Sequence, residues 1–310
     1  MTEERKLTIC SVYHSLAAKR LLELNYEFTR TCNLHTDIRW IVADNTPADF
    51  SEKLETGEKF IIVPGAGEIG GVPKWMWGTC QHSRALKHAI SEVTTRFAVI
   101  LDMDFYIVIP EWMQAIPQYM IENNLAFFGV PWHPVHHRKW RYFPSPHTLF
   151  VDLHKINREE LIFEPQYTAI LHPSFLVRLK ERMIKKILPK HLQGRLDINS
   201  FPDTGYPIYE RFAEKMKYEC PQPVFRASPS FVDRLLPDQF SFVPKRRDYF
   251  TTIGFRERGL PDCAGKRWEE FIWEGRPYGF HIRGSHKLQN SLEGDLCDIR
   301  TILHELHSRD

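Results

Sequence analysis

The chain has 310 residues, with 41 Lys plus Arg against 39 Asp plus Glu, 43% hydrophobic and 26% charged residues. That balance suits one large globular domain or two closely packed ones, and it excludes a general attraction to nucleic acid or anionic lipid as the main basis of partner choice. The six cysteines include no Cys-x-x-Cys pair, so neither a zinc site nor a disulfide framework is expected.

The charged start Met1-Thr-Glu-Glu-Arg-Lys6 is not expected to act as a signal peptide, and no apolar stretch is long enough to span a bilayer. A reduced, soluble, cytoplasmic protein is expected. In chain order, Leu7 to Tyr13 reads as a strand and Leu16 to Thr29 as a helix with Leu21, Leu24 and Phe28 on one face. Strands are predicted at Ile38 to Ala43 and Phe60 to Val63. Thr79 is expected to cap a helix running to about Thr95. A buried strand, Phe97-Ala-Val-Ile-Leu101, comes next. Strand and helix alternate throughout this half, which predicts an α/β fold with a mostly parallel sheet covered on both faces. Such sheets bind ligands at the carboxyl ends of their strands, where His14, Asp44, Asp102 and Asp104 stand.

A helix is predicted at Glu111 to Asn123 and strands at Leu125 to Val130 and Thr148 to Leu153. Residues 131 to 147 carry no period and are rich in aromatics, histidine and arginine. Beyond them the pattern weakens. Leu176 to Leu188 is basic and amphipathic, Tyr206 to Lys217 reads as a helix, and residues 220 to 250 are Pro-rich and irregular. The organisation expected is a ligand-binding half, residues 1 to 155, completed by residues 156 to 310 within one compact domain.

Two motifs carry chemistry. Asp102 and Asp104 follow the buried strand, and alternate residues of an extended segment point the same way. Carboxylates at a buried position need a partner, and a hard divalent ion, Mg²⁺ or Mn²⁺, shared with a phosphate is the functional reading. A strand that simply ends in solvated acids is the bland one. Gly65-Ala-Gly67-Glu-Ile-Gly70 matches the dinucleotide fingerprint. That fingerprint needs its last glycine to open a helix, whereas Gly71-Val-Pro73 follows here, so a flexible loop that lines or closes a pocket is expected instead.

Together, Ile9-Cys-Ser-Val-Tyr13, Asp44, His82-Ser-Arg-Ala-Leu86 and Ile100-Leu-Asp-Met-Asp-Phe-Tyr-Ile107 resemble the nucleotide-sugar-dependent glycosyltransferases of GT-A fold, most closely family 2. The likeness covers residues 7 to 155 well and the remainder in outline. It implies a donor site around Ser11, Tyr13, Asp44, Asn45, His82, Ser83, Asp102 and Met103, with Asp44 at the nucleobase. It implies a Mn²⁺ or Mg²⁺ ion on Asp102 and Asp104, with His281 as a third ligand. Arg283 is a candidate phosphate contact, or else a surface or paired charge. A hydrogen-bonded or surface histidine is the competing reading of His281.

Asp203 is the candidate general base, with Gly205 allowing close approach of a substrate. Asp203 or Thr204 as a helix cap is the alternative. Trp132, Trp140 and Tyr142 are candidate stacking faces for an acceptor sugar, or else anchors of their own loop. The activity implied is metal-dependent, inverting transfer from a nucleoside-diphosphate sugar to a hydroxyl of a glycan, lipid-linked glycan or small molecule, as in polysaccharide biosynthesis. The rivals are a nicotinamide-dependent oxidoreductase using Gly65 to Gly70 and a catalytically silent sugar-binding protein.

Overall fold

The computed structural model describes residues 6–67, 69, 77–135, 141–165, 203–226, 247–266, 268–282 and 292–308. A central sheet holds β1 (Leu7–Tyr13), β2 (Arg39–Asp44), β3 (Ile61–Pro64) and β4 (Phe97–Leu101) in parallel. A second, smaller sheet begins four residues on, at β5 (Phe105–Ile107). The central sheet continues through β6 (Phe127–Gly129), β7 (Thr148–Asp152) and β8 (Tyr218–Glu219), giving the order β3-β2-β1-β4-β7-β6-β8. Four of its six pairings are parallel, and those of β7 with β4 and with β6 are antiparallel.

The smaller sheet adds β9 (Gln222–Pro223), β10 (Glu269–Trp273) and β11 (Arg276–His281) in the order β5-β11-β10-β9, all antiparallel. The α-helices among the described residues are α1 (Leu16–Cys32), α2 (Trp77–Ser91), α3 (Trp112–Glu122), α4 (Tyr206–Phe212) and α5 (Leu292–His307).

Strand periodicity sorts the core into two layers. Ile9, Trp40, Val42, Val99, Phe128 and Phe150 pack with α1, α3, α5 and the smaller sheet on one face. Their neighbours Cys10, Ile41, Ala43, Ala98, Ile100, Leu149 and Val151 pack on the other face with Ala85, Leu86, Ala89 and Ile90 of α2 and Ile208 and Phe212 of α4. A central sheet buried on both sides explains why β4 is five apolar residues in a row. Among the described residues no helix is long and apolar enough to cross a membrane.

The expected elements of the first half are present, with differences at their ends. Helix α1 runs on to Cys32, with Ser15 as its N-cap accepting from the Ala18 N–H. Thr79 lies inside α2 and does not cap it, since the helix already includes Trp77. The helix from Tyr206 is shorter than its apolar pattern predicts, ending at Phe212. Strands β10 and β11 and helix α5 have no counterpart in the sequence reading. Glu-Glu begins β10, and β11 contains both Pro and Gly, residues of poor strand propensity, so here sheet pairing overrides local preference. The basic stretch Leu176 to Leu188 lies outside the described residues.

Candidate active site

Strand order builds the site. The carboxyl ends of β1, β2, β3 and β4 share one edge of the sheet, and β7, running the other way, starts there. The β4–β7 register pairs Leu101 with Thr148, so one step further Asp102 meets His147. The Asp102 N–H donates to the His147 carbonyl at 3.0 Å. Side chains follow, with His147 Nδ1 2.7 Å from Asp102 Oδ2. From α2, His82 places Nε2 3.7 Å from the other oxygen of Asp102.

The chain then turns tightly. The Phe105 N–H donates to the Asp102 carbonyl at 3.0 Å, so Asp102 to Phe105 is a reverse turn joining the two sheets. The expectation of an extended Asp-x-Asp with both acids on one face is therefore corrected. A buried asparagine of α1, Asn25, latches this turn by donating its amide to the Phe105 carbonyl at 2.8 Å and the Met103 carbonyl at 3.4 Å.

Asp104 belongs to the smaller sheet's end, where β11 pairs His281 with Phe105 and β10 pairs Glu269 with His281. The buried His281 imidazole lies between two carboxylates, with Nδ1 2.9 Å from Glu269 Oε2 and Nε2 3.4 Å from Asp104 Oδ1. The two imidazoles, from different sheets, then meet with ring centroids 4.4 Å apart.

Electrostatics bind the cluster. Burial alone lifts the Asp102 pKa, but the His147 hydrogen bond and the charges of His147, His82 and His281 outweigh it and hold the group below the usual carboxylate value. Burial works against charge on His281. Asp104, through its charge and hydrogen bond, and Glu269, in the same way, prevail and raise the His281 pKa well above 6.5.

Asp102, His147 and His281 bring one ligand atom each within 4.8 Å of one another. His147 Nε2 is buried and has no hydrogen-bond partner among the described residues, although an imidazole nitrogen in such a place needs one. A carboxylate with two imidazoles is a donor set that suits a divalent first-row metal. The residues present therefore fit a cation. His147 stands in the set, while Asp104, the expected ligand, reaches the cluster through His281.

Beside the cluster opens a cavity of about 440 Å³ walled by Gly78, Thr79, His82, Asp102, Trp132, Pro146, His147, Asp203 and Thr204. The Trp132 ring packs edge-on to His147 at 4.4 Å. Asp203, buried, is ion-paired to Arg141 at 2.5 Å. Neither Asp203 nor Thr204 caps α4, because Gly205 is its N-cap in a left-handed conformation, φ 80°. The close approach that Gly205 permits is to Pro146, whose Cγ would lie 2.7 Å from an added Cβ, and not to a substrate.

Other expected residues lie elsewhere. Ser11 is buried, donating to the Leu101 carbonyl at 2.5 Å and accepting from Trp40 Nε1 at 3.0 Å, so it ties strands together and faces the core. Tyr13, Asp44 and Asn45 share the edge but do not wall the cavity. The Tyr13 hydroxyl accepts from the Leu54 N–H, Asp44 Oδ1 accepts from the N–H and hydroxyl of Thr46, and Asn45 bridges the Ala66 N–H and the Gln81 carbonyl.

Ser83 is buried, bonded to the Phe163 carbonyl at 3.1 Å and to the Thr204 hydroxyl at 3.3 Å, and so supports the cavity wall from behind. Met103 packs against the core. Tyr142 is not an open stacking face, since Tyr249 covers it at 3.9 Å and 6° and its hydroxyl donates to the Cys220 carbonyl. Trp140 and Arg283 lie outside the described residues.

Gly65 is a packing position. It follows β3, the edge strand, and a Cβ on Gly65 would meet Asn45 Oδ1 and the Asp44 carbonyl at 2.2 Å, so the close approach is to the protein itself. Gly70 lies outside the described residues.

Sequence reasoning missed His147, Asn25 and Glu269. His147 was in view as the last residue before a predicted strand, but its role needs the β4–β7 register.

No family model matches the chain, and no curated protein matches it. Among solved structures it is similar to S. aureus TarS, with 13% identity over 51% of this chain and 50% of that one, TM-score 0.34. It is similar to the mannosyltransferase PcManGT from Pyrobaculum calidifontis in complex with GDP-Man and Mn²⁺, with 13% identity over 51% and 49%, TM-score 0.34. A glycosyltransferase involved in glycosylation of the major capsid of PBCV-1 shares 17% identity over 59% and 79%, TM-score 0.29. The chain spans about half the length of the first two.

Proposed function

We propose that this chain is a divalent-metal-dependent glycosyltransferase of GT-A type, moving a sugar from a nucleoside diphosphate to a hydroxyl acceptor with inversion at the anomeric carbon. What carries the reading is the meeting of Asp102, His147 and His281 from three separate strand ends beside an open cavity of about 440 Å³. The resemblance of the residues around Asp102 to family 2 glycosyltransferases supports it.

Asp102, His147 and His281 hold the cation, with Asp104 adjacent through His281. When bound, the cation supplies Lewis acidity that neutralises charge developing on the departing diphosphate. Two imidazoles among the ligands favour Mn²⁺ over Mg²⁺, which prefers an all-oxygen shell. His82, on the cavity wall and 3.7 Å from Asp102, adds a donor toward a phosphate oxygen. Asp203 receives the proton of the attacking hydroxyl, with Arg141 fixing the orientation of its carboxylate. Direct attack with one base inverts the anomeric centre. Trp132, on the wall beside Asp203, offers an apolar face to the acceptor ring.

The test is a panel of nucleotide sugars scored for Mn²⁺-dependent hydrolysis or transfer, with calorimetric titration of UDP, GDP and dTDP with and without Mn²⁺. Metal-dependent binding and turnover support the proposal, and binding without turnover points to a silent sugar-binding protein. Asp203→Asn is expected to lower kcat by about 10²–10⁴-fold, the range for a general base, with donor binding retained. A purified variant with near-normal turnover removes Asp203 from that role.

A further inference from the structure

We infer that Glu269, a residue of β10 outside the cavity wall, is a positioning residue that fixes His281 as a metal ligand. The inference rests on the metal reading above. Glu269 is the first residue of β10 and His281 the last of β11, and the antiparallel register sets them opposite each other. Both are buried, Glu269 at 4% exposure and His281 at 9%. Glu269 Oε2 lies 2.9 Å from His281 Nδ1.

An imidazole has two nitrogens, and a carboxylate that accepts from one makes it the N–H and leaves the other as the lone-pair donor. With Nδ1–H committed to Glu269, the proton on Nε2, which faces Asp104 at 3.4 Å, is the one a metal displaces, so Nε2 is the nitrogen left for coordination. The ring plane is fixed as well. Phe105 stacks on the imidazole at 6.2 Å and 25°, and His147 flanks it at 4.4 Å. Packing sets the tilt of the ring, while Glu269 decides which edge faces the cluster. A buried acid at a strand start is poor for strand formation and costly to desolvate, and orienting a metal ligand gives it a reason to be there.

The experiment measures Mn²⁺ binding by electron paramagnetic resonance of the free ion in the full-length wild type, Glu269→Ala and Glu269→Gln. Metal-free thermal melts of each run in parallel, with transfer assayed against Mn²⁺ concentration. Glu269→Ala is expected to weaken Mn²⁺ binding about 10–100-fold, the range for loss of a carboxylate behind a metal-bound histidine. Because the bound state is the same once formed, kcat at saturating Mn²⁺ recovers to within about threefold of wild type.

Glu269→Gln keeps an oxygen to accept from Nδ1–H and loses only the charge, so its loss is smaller, about three- to tenfold. A merely structural role would lower the melting temperature and leave the Mn²⁺ affinity of the folded protein unchanged in both variants. If Glu269→Ala does not fold, the glutamine variant decides alone. Mn²⁺ affinity within twofold of wild type in the folded variants overturns the inference and spares the metal site. No Mn²⁺ binding by the wild type overturns both.

Discussion

Two polar clusters stand on the same edge of the central sheet, and they differ in what is left over. At the ends of β1 and β2, Tyr13, Asp44 and Asn45 are occupied by backbone and side-chain groups of Leu54, Thr46, Ala66 and Gln81. At the ends of β4, β7 and β11, Asp102, His147 and His281 face one another, and an imidazole nitrogen is left buried without a partner among the described residues. In the first cluster those bonds hold loops to the sheet. The second converges beside a cavity. Position at a carboxyl edge therefore nominates both clusters, and hydrogen-bond accounting separates them.

The strongest way to break the comparison is to remove side chains of the second cluster. Asp102→Ala is expected to abolish Mn²⁺ binding and lower metal-dependent transfer by about 10³-fold or more, the upper part of the range for one electrostatic stabiliser of a transition state. His147→Ala is expected to weaken Mn²⁺ binding by at least about 100-fold, the upper end of what residues that only support a metal ligand contribute. Transfer assays and Mn²⁺ titration check both, and an intact Mn²⁺ affinity in His147→Ala would give the place of His147 back to Asp104.

A smaller and graded effect comes from pH. His281 carries a folded-state pKa well above 6.5, so its contribution to the stability of the metal-free protein is fully present below about pH 6.5 and is lost as pH rises through the raised value. Metal binding runs the other way, because a ligating imidazole must give up its Nε2 proton. Mn²⁺ affinity is expected to rise about tenfold per pH unit above 6.5 until that raised value is passed, while the metal-free melting temperature falls over the same window. Calorimetry in buffers of different ionisation enthalpy reads the released proton, and an affinity flat with pH would contradict the assignment.

The smallest effect is expected in the first cluster. Thr46→Val removes the 2.6 Å hydroxyl bond to Asp44. The expected cost is about 1 kcal/mol, a melting shift of about 2–4 °C, with kcat/KM within about twofold of wild type. A large loss of donor affinity would place Asp44 back in the binding site.

Much of the first half was legible because its elements are local. β1, α1, β2 and β4 announce themselves by apolar run and period, and their order predicts the parallel sheet. Of the residues now near one another, Asp102 stood out at the end of a buried strand and Trp132 in an aromatic loop, while the family resemblance pointed to His82, Asp203 and His281. Their grouping was not legible. The Asp102–Phe105 turn replaced the expected pleat, so Asp104 separated from Asp102 and joined His281 and Glu269 instead. Nothing in the sequence around Glu269 marks it, and only pairing of β10 with β11 makes it a buried partner.

The sequence by itself determined which strands are buried on both faces and which acids end one of them, because burial and periodicity act over a few neighbouring residues. Only the tertiary structure decided which side chains share a point in space. Asp102, His147 and His281 are far apart along the chain, and they meet through two antiparallel registers and one tight turn. Register is a property of paired strands, so no single stretch of residues carries it.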